Sequence, residues 1–369
     1  MKKDTIWVGL DVHAKSIAVA ILALGMKEPQ TRSIPNKAEA IGALFAELLR
    51  KAVVFACYEA GPCGYAIHRQ LRSMGVSCEV IAPSLIPSKP GERIKTDRRD
   101  AVKLARYLRA GELTPIVVPD EQHEADRDLM RVREDVRRDR TAARNRLSKF
   151  LLRQGLHIGG NKREWTKGHW EWVRAQRLEH PSAQFTFEHY IAEVERLDLA
   201  MARVEAAMNA LAATPRYAGA VGRLTCLRGI KTLSAMVLLT ELGDLRRFDH
   251  PRQLMAYTGL VASERSSGES TKRGGITKTG NAHVRRILVE AAWSYRHGRT
   301  TLTPRVRAQL ETQPSDVATI ATKSVQRLSK RYARLVARGK PSPVASTAVA
   351  RELCGFVWSL GRNPELTAH

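Results

Sequence analysis

Two carboxylates, Asp97 and Asp100, stand three residues apart in the run Thr96-Asp97-Arg98-Arg99-Asp100-Ala101, inside a chain otherwise dense in cations. Residues 101–110 place Val102, Ala105, Tyr107 and Leu108 at helical spacing and end at Gly111, a natural stop signal. With Thr96 as the N-cap, Asp97 falls in the first turn and Asp100 one turn on, on the same face. Carboxylates converging beside Lys95, Arg98 and Arg99 suit a divalent metal set against a phosphate backbone. A plainer reading is that acids favour a helix N-terminus and neutralise their arginine neighbours. The hexapeptide does not decide between the two.

The elements that would position these acids are legible upstream. Residues 6–10 read as a buried strand ending at Asp11, and residues 16–24 as a strand returning from a turn at 12–15. An amphipathic helix follows over 38–51, with Ile41, Leu44, Phe45, Leu48 and Leu49 on one side. A strand at 53–58 ends in Glu59-Ala60-Gly61-Pro62, a helix spans 65–74, and another strand spans 77–82. Strands alternating with helices predict an α/β layered domain. Asp11 and Glu59 each stand just past the carboxyl end of a strand, where ligand sites of open α/β sheets gather. If those strands are neighbours, Asp11, Glu59, Asp97 and Asp100 share one small volume. Such repulsion calls for one or two divalent cations. Hard oxygen ligands with no histidine partner favour Mg²⁺ over zinc. Two such ions roughly 4 Å apart would clamp the attacking and leaving oxygens of a phosphodiester. Glu59 also reads as a turn former before Gly61-Pro62, and His13 reads as a turn residue rather than a ligand.

The 369 residues suffice for two or three domains. Lysine and arginine number 61 against 37 acids, a formal charge of +24, which predicts attraction to a polyanion. A membrane surface is disfavoured, since no apolar run approaches the roughly 20 residues of a spanning helix. Asp11, His13 and Lys15 interrupt the opening apolar stretch and exclude a signal peptide. The five cysteines include no C-x-x-C pair, which argues against structural zinc and for a reducing cytosol.

Residues 121–154 lack proline and glycine and are dense in arginine, including Arg137, Arg138 and Arg144. They predict a long solvated helix, paired as a coiled coil or lying along nucleic acid. A second helical segment at 191–211 could return beside it as an antiparallel hairpin. Between them Trp165, Trp170 and Trp172 interleave with Lys162, Arg163, Lys167 and Arg174, suiting either base stacking or packing against another subunit. Residues 224–242 look like a helix-hairpin-helix whose Gly229 turn would offer N–H groups to a phosphate. A polar loop follows over 263–280, with Ser266-Ser267-Gly268, Lys272, Arg273 and Lys278, and then a helix over 281–295 bearing Arg285 and Arg286. By composition this loop is also a possible linker. Beyond residue 300 the chain reads as helical and basic, its last apolar helix packing onto the C-terminal domain.

Taken together, Gly9-Leu10-Asp11-Val12-His13, Tyr58-Glu59-Ala60-Gly61 and Lys95-Thr96-Asp97-Arg98-Arg99-Asp100-Ala101 resemble the RuvC-like, ribonuclease-H-fold domain of the DEDD transposases of bacterial insertion sequences. That family includes the pilin-gene invertase, and the resemblance runs roughly over residues 6–299. It implies an α/β plus mostly α chain: a RuvC-like catalytic domain (1–118), a helical coiled-coil spacer for oligomerisation (119–214), and a mainly helical transposase domain with a serine loop (215–369). It also implies that Asp11, Glu59, Asp97 and Asp100 bind Mg²⁺, and that Ser267, or else adjacent Ser266, attacks DNA to give a covalent phosphoserine in one composite site. Arg98, Arg99, Arg137, Arg138, Arg144, Lys272, Arg273, Lys278, Arg285 and Arg286 are the expected nucleic-acid contacts. The implied partners are double-stranded DNA at the element ends and target, a bridge RNA encoded by the element, and further copies of the chain as a dimer or tetramer. The implied place of work is the bacterial cytoplasm, at the nucleoid.

Three other readings make different demands. A RuvC-type junction nuclease would use the same acids with water as nucleophile and would not need the serine. A non-enzymatic nucleic-acid-binding protein would explain the charge but not the acids. A sugar-kinase-like ATPase would want a glycine-rich phosphate loop near Asp11, which Val12-His13-Ala14 does not supply.

Overall fold

The computed structural model describes residues 4–87, 96–159, 164–267 and 270–362. Lys95, Lys162, Arg163 and Gly268 therefore lie outside the described residues. The chain forms two compact units, Met1–Pro119 and Asp120–His369.

The first unit contains β1 (Asp4–Val12), β2 (Ser16–Ala23), β3 (Gln30–Pro35), α1 (Ala38–Lys51), β4 (Ala52–Glu59), α2 (Ala66–Ser73), β5 (Ser77–Ile81) and α3 (Asp97–Ala110). The sheet order is β3-β2-β1-β4-β5; the first three strands form an antiparallel meander, and β4 and β5 run parallel to β1. This agrees with the mixed α/β expectation. Because side chains alternate along a strand, one face carries Ile6, Val8, Leu10, Val54 and Tyr58 against Ile41, Phe45 and Leu48 of α1 and Leu71 of α2. The other face receives α3, through Ala20 and Leu22 against Ala101 and Ala105, and Cys57 and Ile81 against Leu104.

Strand β3 was not expected from the sequence. Gln30-Thr31-Arg32-Ser33-Ile34-Pro35 is polar because it is a solvated sheet edge, where charge and proline deter further pairing. Asp11, opposite Ala18, and Glu59 also lie among the last residues of β1 and β4 rather than just past them.

Gly9 sets how closely α3 approaches. A Cβ there would lie 2.2 Å from the Ala101 carbonyl oxygen and 2.5 Å from the Ala105 nitrogen, both backbone atoms with no freedom to rotate away. Gly9→Ala must therefore lift α3 from the sheet. A loss of about 2–3 kcal/mol is expected, in the range of other overpacked cores. Denaturant unfolding of the full chain checks it, and an unchanged midpoint would show that α3 does not need this contact.

The second unit contains α4 (Glu121–Arg153), α5 (Lys167–Ala175), α6 (Pro181–Ala212), α7 (Pro215–Leu224), α8 (Thr232–Leu242), α9 (Pro251–Tyr257), β6 (Ala262–Ser267), β7 (Ser270–Ile276), α10 (Ala282–Ala292), α11 (Pro304–Leu310), α12 (Ser315–Ala337) and α13 (Ser342–Gly361). At 1.5 Å per residue α4 is about 50 Å long, its start capped by the Asp120 side chain, which accepts from the His123 N–H at 2.6 Å. Helix α6 begins well before residue 191 because Pro181 opens its first turn, where a missing N–H costs nothing. Arg133 pairs with Glu205 at 2.6 Å and Arg144 with Asp198 at 2.7 Å, so α4 and α6 run antiparallel. Val132 and Leu152 of α4 and Phe185 and Leu199 of α6 remain exposed.

Two expectations change here. The tryptophans pack in part within this unit: Trp165, Trp170 and Trp172 lie half-buried against a core of Phe150, Val173 and Phe187. Arg144 lies 4.9 Å over the Trp165 ring and Arg174 5.2 Å over Trp170. The Gly229 turn between α7 and α8 is also a packing feature. Leu227 and Ile230 are fully buried, and a Cβ on Gly229 would meet the Ala291 carbonyl oxygen of α10 at 2.3 Å.

Helix α8 is buried over residues 235–242 and joins α10, α12 and α13 in one core. That core accounts for the terminal apolar helix as expected. Among the described residues, no helix is long and apolar enough to cross a membrane.

Candidate functional site

The parallel pairing of β1 and β4 sets Leu10 opposite Tyr58. Asp11 and Glu59 are the next residues on the two strands, and both take the α3 face by alternation. Across from them α3 starts where Thr96 caps it, the Thr96 hydroxyl accepting from the Arg99 N–H at 3.4 Å, and it ends at left-handed Gly111. Asp97 and Asp100 consequently occupy its first turn. Residues as far as 89 apart in sequence thus arrive at one end of the sheet.

Among the described residues, Asp11, His13 and Asp97 offer ligand atoms that all lie within 4.8 Å of one another. The His13 Nε2 stands 3.4 Å from Asp11 Oδ2 and 3.4 Å from Asp97 Oδ2. Asp11 is the sheltered member, its side chain 18% exposed against 65% for Asp97. Burial pushes the Asp11 carboxyl above its usual range; His13 opposes that, while Asp100 and then Asp97 add to it. Glu59 and Asp100 are half-buried and stand outside that closest group. A carboxylate destabilised by burial and by two like charges is relieved by a cation. The donor set, carboxylate oxygens with one imidazole, fits a divalent ion.

The sequence reading had no histidine in the ligand set; the structure places His13 beside two of the acids. His13 does serve the turn: its N–H donates to the Ser16 carbonyl at 2.9 Å, and Asn36 Nδ2 donates to its carbonyl at 2.8 Å. Its side chain nevertheless faces the acids. The available signal was spacing, since a residue two places beyond Asp11 at a strand end returns to the same face.

The outward face of α3 lines an open groove of about 770 Å³ with Arg98, Arg99, Lys103, Arg106 and Tyr107. Arg98 and Arg99 thus lie beside the acids, as expected. The other expected nucleic-acid contacts divide. Arg144 is held by Asp198 and Trp165. Arg137 and Arg286 both bond Glu134, and Arg285 donates to the Thr258 and Thr279 carbonyls at 2.8 and 2.9 Å. Those four side chains are occupied with the fold. Arg138, Lys272, Arg273 and Lys278 are exposed.

The polar loop at 263–280 is in fact a two-stranded ribbon, β6 against β7, in which Ser267 pairs with Ser270 and Arg265 with Lys272. Sequence patterning missed it because every residue of β6 is exposed, so no apolar alternation marks the strand. A lone ribbon is marginal in water, and its base is tied down. Lys278 N–H donates to the Gly259 carbonyl at 3.1 Å and Asn281 N–H to that of Tyr257 at 3.2 Å. Gly280, at φ 67°, sits where a Cβ would strike the Tyr257 carbonyl. Asn281 also reaches Glu241 at 2.8 Å, which Arg131 holds from α4 at 2.9 Å. Burial alone would raise the Glu241 carboxyl, but the bonds from Arg131 and Asn281 hold it below its usual range. Sequence gave no hint of this buried anchor.

Paired residues on a ribbon share a face. Ser267 therefore shares its face with Arg265, Lys272 and Ser270. Ser266 shares the opposite face with Glu264 and Arg273, which neutralise one another at 3.0 Å.

Comparison with known proteins gives consistent matches along the chain. Residues 8–154 match the DEDD family model of IS110 elements, described as a transposase, and residues 221–309 match the model of the transposase IS116/IS110/IS902 family. The transposase y4qE of Sinorhizobium fredii is 43% identical, over 98% of this chain and 90% of that protein. The transposase for insertion sequence element IS1533 of Leptospira borgpetersenii is 32% identical, over 92% of this chain and 99% of its own length.

Proposed function

Since the chain belongs to the IS110 family of insertion-sequence transposases, enzymes acting on DNA, we propose that it cleaves and exchanges DNA strands through Ser267, with Mg²⁺ at Asp11, Glu59, Asp97 and Asp100, guided by a bridge RNA. The observation that carries this reading is the meeting of Asp11, His13 and Asp97 at the end of two parallel strands, with Glu59 and Asp100 alongside. The ion would neutralise charge growing on the phosphoryl oxygens and lower the barrier to displacement at phosphorus.

The Ser267 Oγ attacks a backbone phosphorus, forming one P–O bond as the bond to the adjoining nucleotide breaks. The hydroxyl proton leaves with the departing sugar oxygen. The phosphodiester count is conserved, so reversal onto a new sugar hydroxyl rejoins strands without an outside energy source. A serine hydroxyl is a weak nucleophile unaided. Arg265 and Lys272, on the Ser267 face, would hold the phosphate and stabilise its added charge.

An RNA guide is favoured by a net charge of +24, since backbone attraction without base reading suits a protein that delegates sequence choice to pairing. Residues 1–118 would supply the metal ligands, 119–214 the contacts between copies, and 215–369 the nucleophile. Exposed Val132, Leu152, Phe185 and Leu199 suit association into a dimer or tetramer. The work would take place on DNA in the bacterial cytoplasm.

A RuvC-like nuclease using water is the second reading, favoured by an acid cluster that is complete without any serine. One experiment separates the two. Purified protein, carrying whatever RNA accompanies it, is incubated with Mg²⁺ and the DNA of its own element ends. Serine chemistry leaves a protein–DNA bond that protease removes and EDTA prevents. Cleavage yielding only protein-free ends would favour water.

A further inference from the structure

We propose that His13 is itself a metal ligand, supplying Nε2 to the ion held by Asp11 and Asp97, so that the site prefers Mn²⁺ to Mg²⁺ more than carboxylates alone would. The inference rests on reading the acids as a metal site and goes beyond it in adding a nitrogen donor.

The geometry argues for a body between three donors rather than a hydrogen bond between two. His13 Nε2 is 3.4 Å from each of two carboxylate oxygens on different elements, one on β1 and one on α3. One N–H shared between both would make two bent, weak bonds, and 3.4 Å is long for a charge-assisted bond. Ligand atoms at right angles on an ion with bonds of about 2.1 Å lie about 3 Å apart. His13 Nε2 needs to close on each carboxylate oxygen by only a few tenths of an ångström, and the two oxygens themselves lie within 4.8 Å of one another.

The backbone is set for this. The bonds from His13 N–H to Ser16 and from Asn36 to the His13 carbonyl fix the turn, so the imidazole is presented with little ordering left to do. Imidazole binds borderline transition ions better than magnesium, which takes hard oxygens. The consequence is a shift in selectivity rather than a new reaction.

The test uses the full chain, freed of metal, with Mn²⁺ as the probe. Electron spin-echo modulation of the bound Mn²⁺ should show coupling to imidazole nitrogen, and ¹⁵N-histidine labelling of the wild-type protein should alter that pattern without any substitution. His13→Gln should keep bound Mn²⁺ but lose the modulation, and its Mn²⁺ Kd should rise at least about tenfold, with Mg²⁺ affinity changing less. Asp11→Asn should lose the ion. Nitrogen modulation that is absent from Asp11-dependent Mn²⁺ in the wild type, or that persists in His13→Gln, overturns the role of His13 while leaving the metal site standing. Failure of the wild type to bind Mn²⁺, or equal binding by Asp11→Asn, overturns both.

Discussion

Asp11→Asn is expected to abolish DNA cleavage, by at least about a thousandfold if the ion supplies the charge stabilisation assigned to it, while the protein becomes slightly more stable. The two effects share a cause. Asp11 is the most enclosed acid of the cluster, and burial together with Asp100 and Asp97 disfavours its charge in the folded state. Its folded pKa lies above the unfolded one, so its stabilising contribution is present below the ordinary aspartate value and is lost as pH rises through the raised value. In EDTA the wild type should therefore fall behind Asp11→Asn as pH rises from acid to neutral, by about a degree or two in Tm. Adding a divalent ion should restore the wild type and leave the variant unmoved. An Asp11→Asn protein that still cuts its DNA would remove the metal from the mechanism.

Ser267→Ala should eliminate the covalent adduct entirely, since no other atom at that position can form the P–O bond, while binding to element DNA stays within about twofold because one neutral hydroxyl contributes little to backbone attraction. Ser266→Ala should keep the adduct. The distinction comes from the ribbon: neighbouring residues on a strand point to opposite faces, Arg265 and Lys272 share the Ser267 face, and on the Ser266 face Arg273 is paired with Glu264. Gel separation of protease-treated and untreated products reads both variants. An adduct surviving in Ser267→Ala and lost in Ser266→Ala would assign the nucleophile to the other face.

The acids were legible because short-range rules place them. A Thr96 cap and a Gly111 stop define α3 from sequence alone, and continuous apolar runs define β1 and β4. What sequence could not supply was the company each side chain keeps. Arg144 and Arg285 read as phosphate contacts on composition, yet Asp198, Trp165 and two loop carbonyls engage them. The ribbon escaped notice because a strand exposed on both sides has no hydrophobic period to detect. Strand β3 escaped for a related reason, being a polar edge. His13 read as a turn residue and is one, but its nearness to Asp11 and Asp97 could not be read until the facing helix was in place.

Helix α3 carries Asp97 and Asp100 at its first turn and Arg98, Arg99, Lys103 and Arg106 along its outer side. If these acids mark the point of scission, a single rigid rod would fix the spacing between it and the cations that could hold the flanking strand. From Asp97 to Lys103 the axial rise is about 9 Å, and to Arg106 about 14 Å. Because Ala101, Leu104 and Ala105 seat α3 on the sheet, one residue inserted after Asp100 would turn Asp97 and Asp100 by roughly 100° and slide them by about 1.5 Å relative to that seat and to the cations beyond it, so that the two ends of the helix would no longer be in step.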